Sequence, residues 1–202
     1  MSVEHVFRNA RIVLDDRIVD GSLVVRDGRI AAIDADGSRT GDDLDGDLLL
    51  PGFVELHTDH LETHYAPRPG VRWDPIAAAQ AHDAQIVSAG ITTVFDAVRV
   101  GTEGDSRLLG EEAGLLAEAL TTAAVEGRLK ADHRIHLRCE VSSADVVDQA
   151  APLFAAGRVA LASLMDHSPG QRQFADIETY KRYYRDKAGL SQDEINAYVE
   201  ER

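Results

Sequence analysis

Thiols, membrane-length apolar runs and basic charge are all scarce in this sequence. A single cysteine, Cys139, excludes an internal disulfide and any multi-thiolate zinc knot. No stretch approaches the roughly 18 apolar residues of a membrane-spanning helix. Met1 to His5 has neither the basic start nor the apolar run of a secretory signal. These absences predict a cytoplasmic protein with no membrane partner. Lys and Arg number 21 against 35 Asp and Glu, a net charge of −14. That balance argues against coating nucleic acid, which needs a basic face. It also opposes an anionic substrate unless metal ions or local arginines invert the field at the site. There is no GxxxxGK[ST] loop and no GxGxxG turn, so neither a P-loop nor a dinucleotide site is expected. What is present is ample apolar material: 44% hydrophobic residues over 202 positions can bury a real core.

The pattern divides the chain in two. Residues 1–50 read as a small β domain. Arg11 to Val19 and Ser22 to Ile33 hold short apolar strands, and Asp27-Gly28 is a hairpin signal because both turn positions need positive φ. A polar, acidic connector with Gly37, Gly41 and Gly46 follows. Residues 51–202 alternate strand with helix. A strand runs from about Leu48 to Leu56, interrupted at Pro51-Gly52. Pro75 opens an Ala-rich helix that Gly90 closes. Ile91 to Phe95 is β-branched and aromatic, hence a second strand. Leu108, Leu109, Glu112, Leu115, Leu116, Ala119 and Ala123 form one helical stripe. His133 to Val141 is a third strand, Ala144 to Ala156 a helix, and Val159 to Met165 a fourth strand. Ser191 and Glu194 make a capping box before a last helix. Four β/α units behind a β segment predict an α/β protein with a parallel sheet.

In such folds chemistry gathers at the carboxyl ends of the strands. The first strand there offers His57, Asp59 and His60, the third His136, Arg138 and Glu140, and the fourth Asp166 and His167. Residues two apart on a strand share a face. Imidazoles and carboxylates converging from three strands suit Zn²⁺ or a similar divalent ion. His57, Asp59, Glu140 and His167 are therefore the expected ligands, with His60, His82 and Asp166 as secondary candidates. A lone strand-end histidine is ordinarily just a hydrogen-bonded surface group. It is the joint set that points to metal. His60 and His64 read best as solvated loop residues, His82 as a helix residue bonded to nearby backbone, and Cys139 as a buried thiol. The cationic residues are Arg68 and Arg72 after the first strand, Arg138 on the third, and Arg172 after the fourth. Guanidinium groups there would suit phosphate oxygens, or equally pair with surface carboxylates.

Leu50-Pro51-Gly52-Phe53-Val54-Glu55-Leu56-His57-Thr58-Asp59 resembles the first-strand signature of the amidohydrolase superfamily, with Asp59 where most members carry a second His. Pro67-Arg68-Pro69-Gly70, Ala81-His82-Asp83-Ala84, His136-Leu137-Arg138-Cys139-Glu140 and the run from Ser163 to Phe174 resemble one branch of it, the ribosyl-triphosphate diphosphatases of the carbon–phosphorus lyase pathway. The resemblance implies part of a metal-dependent (β/α)8 TIM-like barrel, about its first four β/α units. It implies a hydrolase that converts α-D-ribose 1-methylphosphonate 5-triphosphate to the 5-phosphate and diphosphate. Zinc is the expected cofactor, with Mn, Fe or Ni as other choices. The partner is then a small-molecule ribosyl triphosphate. Family members are close to twice as long, so the proton-handling Asp, a further metal-binding His and the remaining strands have no counterpart here. A homo-oligomer, a complementing C-terminal chain or an inactive chain is then expected. A cyclic-amide hydrolase of dihydroorotase or hydantoinase type, and a non-catalytic binding or assembly fragment, are the competing readings.

Overall fold

A computed structural model describes residues 3–68, 70–101, 112–168, 170, 175–188 and 190–200. The chain divides into two compact units, Met1–Gly52 and Phe53–Arg202.

The first unit is a five-stranded sheet. It contains β1 (Glu4–Val13), β2 (Ile18–Arg26), β3 (Arg29–Asp34), β4 (Asp42–Asp43) and β5 (Leu48–Leu49). β2 lies between β3 and β1, antiparallel to both, while the two-residue strands β4 and β5 pair with β1 in parallel. Asp27 and Gly28 both take positive φ, 52° and 75°, as a tight hairpin turn of the primed type requires. Ala10, Ile12 and Leu23 are its buried core, packed on by Phe7, Leu14 and Val25.

The second unit builds a four-stranded parallel sheet in chain order: β6 (Phe53–Thr58), β7 (Ile91–Val100), β8 (Asp132–Glu140) and β9 (Val159–Met165). Between them run α1 (His60–Tyr65), α2 (Pro75–Ser88), α3 (Ala113–Val125) and α4 (Val146–Ala155). Four consecutive parallel strands with helical crossovers is the arrangement of half a (β/α)8 barrel. α2 starts where Pro75 sits beside the N-cap Asp74, whose side chain accepts from the Ala77 N–H at 2.8 Å.

Alternation sets the two faces of this sheet. Val98 and Val100 of β7 and Ile135, Leu137 and Cys139 of β8 pack with Leu61, Leu116, Ala117, Leu120 and Leu153 of the helices into the main core. Cys139 is thus a core thiol. The intervening residues, Arg99 on β7 and His136, Arg138 and Glu140 on β8, take the other face. At the edges, Phe53, Val54 and Leu56 of β6 and Leu164 of β9 remain exposed, Leu164 at 78%. Edge strands with uncovered apolar side chains are association sites.

Several elements differ from the sequence expectation. β7 runs five residues past Phe95, because Asp96 and Arg99 both find buried partners. Leu116, Ala119 and Ala123 are buried as the stripe predicts, but Leu115 is exposed; Leu108 and Leu109 lie outside the described residues. His60 and His64 belong to α1 rather than to a loop. The capping box is present: Ser191 Oγ accepts from the Glu194 N–H at 3.3 Å, and Glu194 Oε2 accepts from the Ser191 N–H at 2.8 Å. It opens α6 (Gln192–Glu200), which pairs with α5 (Ile177–Ala188) around Tyr180, Tyr184, Leu190 and Ile195. No helix among the described residues is long and apolar enough to cross a membrane.

Candidate metal and oxyanion centre

The four expected ligands come forward as two pairs. His57 is the penultimate residue of β6, and its Nε2 lies 3.2 Å from Oδ1 of Asp59, the N-cap of α1. Glu140 ends β8 and shares a hydrogen bond with His167 Nδ1 beyond β9. Glu140 is 1% exposed and accepts three more hydrogen bonds: from the His167 N–H at 3.0 Å, Ser142 Oγ at 2.9 Å and Arg99 Nη2 at 3.3 Å. Burial opposes its ionisation, but the bonds from His167 and Ser142 outweigh it and pull its pKa down to about 2. The carboxylate is charged at any physiological pH. Gly101, at φ +86°, makes this approach feasible. A Cβ there would fall 2.8 Å from the Glu140 carbonyl oxygen.

His136 lies between the pairs. Its ring meets that of His57 edge-on, with centroids 4.9 Å apart. Its Nδ1 bonds the Leu56 carbonyl at 2.9 Å and its Nε2 pairs with Ser163 Oγ at 2.9 Å. Burial lowers its pKa, so it is neutral near pH 7. Two imidazoles and two carboxylates are a donor set that fits a divalent cation of the zinc type.

The arginines distribute unevenly. Arg138 Nη1 donates to Asp59 Oδ1 at 2.7 Å, so it holds Asp59 rather than orienting Glu140. Arg99 holds Glu140 instead, and its backbone N–H donates to Glu62 Oε1 at 3.2 Å. Arg72 pairs with Glu112 through Nε at 2.9 Å. Arg68 is exposed, its backbone forming an isolated bridge with Val71. Arg172 lies outside the described residues. Asp166 turns onto its own loop, accepting from the Ser168 N–H and hydroxyl at 3.1 and 2.7 Å. His60 and His64 share Gln85, His60 Nδ1 accepting at 3.3 Å and His64 Nε2 lying 2.8 Å from the amide oxygen.

Sequence reasoning passed over Arg99 and Glu62. Burial lifts the Glu62 carboxyl to about pKa 7, against the pull of Arg138. Reading β7 through to Val100 would have exposed Arg99, since it breaks an apolar run at the strand end.

A second polar group lies on the helix-packed face. His82 of α2 meets Asp96 Oδ1 through Nε2 at 2.7 Å, and His133 of β8 meets Asp96 Oδ2 through Nδ1 at 2.8 Å. His133 Nε2 lies 3.2 Å from Asp83 Oδ1, and Asp83 also accepts from the backbone N–H groups of Lys130 and Ala131. His82 therefore bonds a side chain, not the neighbouring backbone expected from sequence. Among the described residues, His82, Asp96 and His133 are the group of three metal-type side chains whose donor atoms all lie within 4.8 Å. The group could hold a metal ion, and hydrogen bonds already join its members.

The strand ends of this β/α chain thus carry two pairs of metal-type side chains, His57 with Asp59 and Glu140 with His167, each pair also engaged by an arginine. No family model matches the chain. It is similar to the alpha-D-ribose 1-methylphosphonate 5-triphosphate diphosphatase of Escherichia coli (strain K12), with 42% identity over 200 residues, 97% of this chain and 52% of that protein. The L-hydantoinase of Paenarthrobacter aurescens is 32% identical over 97 residues, 45% of this chain and 19% of the relative. The chain therefore spans about half the length of the first of these curated relatives and about a fifth of the second. Solved structures that align include a D-hydantoinase, at 20% identity and TM-score 0.45, covering 80% of this chain and 32% of that one. Another is the N-acetyl-D-glucosamine-6-phosphate deacetylase of Mycobacterium smegmatis, at 17% identity and TM-score 0.47, covering 80% and 43%.

Proposed function

We propose that this chain supplies the first four β/α units of an amidohydrolase-type metal-dependent hydrolase acting on a ribosyl 5-triphosphate. The observation that carries the reading is the strand-end centre: two carboxylates, each paired with an arginine, beside two imidazoles. The similarity to the diphosphatase over 97% of the chain supports the substrate class. His57, Asp59, Glu140 and His167 would hold a divalent cation, with zinc suited to this mixed N/O set. When bound, such a cation supplies Lewis acidity toward phosphoryl oxygens and makes water more acidic.

The chain's own side chains do the rest. Arg138 and Arg99 stand on the reacting face and can neutralise phosphoryl oxygens, with Arg68, Arg72 and Arg172 serving the outer part of a triphosphate. Water enters at the phosphorus nearest the ribose and diphosphate departs, leaving the 5-phosphate. His136, held neutral, can share a proton but carries no charge that would attract a second anion. A base that accepts the water proton is not assigned to any residue of this chain. We place the protein in the cytoplasm, with a second copy or a complementing chain as a further partner at the exposed β6 and β9 edges. Cyclic-amide hydrolysis, suggested by the similarity to L-hydantoinase over 45% of the chain, is the weaker reading because it gives the buried arginines no work.

His57→Ala and Glu140→Ala should each cut the bound divalent metal by at least about half, measured by elemental analysis of the purified chain. Unchanged metal in both variants would overturn the ligand assignment.

A further inference from the structure

His82 of α2, Asp96 of β7 and His133 of β8 meet on the helix-packed face, with side chains fully withdrawn from water. Their donor atoms all lie within 4.8 Å of one another. Asp96 turns one carboxylate oxygen to each ring: Oδ1 lies 2.7 Å from His82 Nε2, and Oδ2 lies 2.8 Å from His133 Nδ1. Zinc bonds of roughly 2.0–2.1 Å space tetrahedral donors roughly 3.3 Å apart, so an ion asks each pair to part by about half an ångström. Two carboxylate oxygens and two ring nitrogens make four donor atoms, the number a closed structural zinc site takes.

The surroundings prepare the rings for that role. His133 Nε2 lies 3.2 Å from Asp83 Oδ1. Asp83 also accepts from the Lys130 and Ala131 backbone N–H groups, so it stands there as an acceptor and takes the hydrogen of Nε2. A metal-ligating imidazole characteristically gives its other N–H to a carboxylate in this way, which leaves His133 Nδ1 for the ion. His82 Nδ1 is buried and has no hydrogen-bond partner among the described residues, so nothing there opposes the tautomer with a bare Nε2. With both rings neutral, Asp83 and Asp96 carry two negative charges into the interior, and one divalent cation cancels them.

We propose that His82, Asp96 and His133 form a structural divalent-cation site, with zinc the best match and Asp83 as its positioning residue. The site is separate from the strand-end candidates. His133 is the second residue of β8 and Glu140 its last, and the strand between them spans about 20 Å. One ion cannot serve both places. The buried ion ties α2, β7 and β8 together, at the end of a β/α sheet where side chains contribute durability rather than chemistry. A hydrogen now shared between a ring and Asp96 moves to the other ring nitrogen or to solvent as the nitrogen–metal bond forms. Because the side chains are closed to water, the ion is taken up as the chain folds.

The test uses the full 202-residue chain, expressed in zinc-supplemented medium and dialysed. A His57→Ala/Glu140→Ala double variant removes a candidate ligand from each strand-end pair. It should retain about one zinc per chain by elemental analysis. X-ray absorption of that zinc should show two imidazoles and carboxylate oxygen at roughly 2.0–2.2 Å. Asp96→Asn still bonds both rings but lacks the carboxylate charge. Added to the double variant, and with native circular dichroism, it should abolish the remaining zinc. Asp83→Asn should weaken zinc binding by about 10- to 100-fold, read by refolding against a chromophoric chelator. Zinc present in the parent but absent from the double variant overturns this site and leaves the strand-end assignment standing. A parent without zinc overturns both. Zinc retained in full by Asp96→Asn, or bound without imidazole in the absorption spectrum, reduces the group to a hydrogen-bond network and overturns the proposal. If Asp96→Asn fails to fold, the absorption spectrum of the double variant decides alone. Unchanged affinity in Asp83→Asn overturns the role given to Asp83.

Discussion

Asp96→Ala should destabilise the chain by about 3–5 kcal/mol, the usual cost of removing one member of a buried ion pair. Asp96 is fully buried and accepts from both His82 and His133. Burial favours neutral imidazole in His133, but bonds to Asp96 and then Asp83 overcome it and raise its pKa. His133 therefore sits between two carboxylates with both ring nitrogens engaged, an arrangement that favours its charged form. Alanine leaves that charge half compensated and strips His82 of its partner. The link between α2, β7 and β8 goes with it. For a chain of this size the loss corresponds to roughly 10 °C in melting temperature. Thermal unfolding followed by circular dichroism reads it directly, and a shift below about 2 °C would show the network to be dispensable.

Glu62→Gln should act in the opposite direction, and only at higher pH. The folded chain holds this carboxyl at about pKa 7, against an ordinary value of 4.5. Between those values the folded state keeps a proton that the unfolded chain has released. Stability therefore falls as pH rises through that window and stays lower above it. The neutral amide escapes the penalty and still offers an oxygen to the Arg99 N–H. The shift corresponds to about 2 kcal/mol once partial solvent access is allowed for. The metal-free variant should melt about 5 °C above the parent at pH 8 and close to it at pH 5. An equal gain at both values, or a loss at pH 8, would mean that Glu62 is ionised without cost.

Elements carried by a strong period were legible from sequence. Val159 to Met165 is a strand with the expected ends, and the Asp27-Gly28 turn joins the strands it was expected to join. The strand-end residues were legible for the same reason, since a period of two states which side chains share a face. Pairing was not legible. Whether Arg138 meets Asp59 or Glu140 depends on how β8 lies against its neighbours, and register between strands leaves no local mark. Ending β7 at Phe95 hid Arg99 and Asp96 together, because charged residues look like a strand terminus until a buried partner is known. Helix α6 was announced by its capping box, but its pairing with α5 escaped for a different reason. The tyrosines of the pair serve a small core of their own, away from the β/α pattern.

Strand β7 carries Asp96 toward the helices and Arg99, three residues later, toward the open face. A single ribbon of backbone thus carries one buried polar network against the helices and another on the opposite face. Random drift on the packed side would be felt as heat sensitivity, while residues of the open face could change without disturbing the helix-packed core.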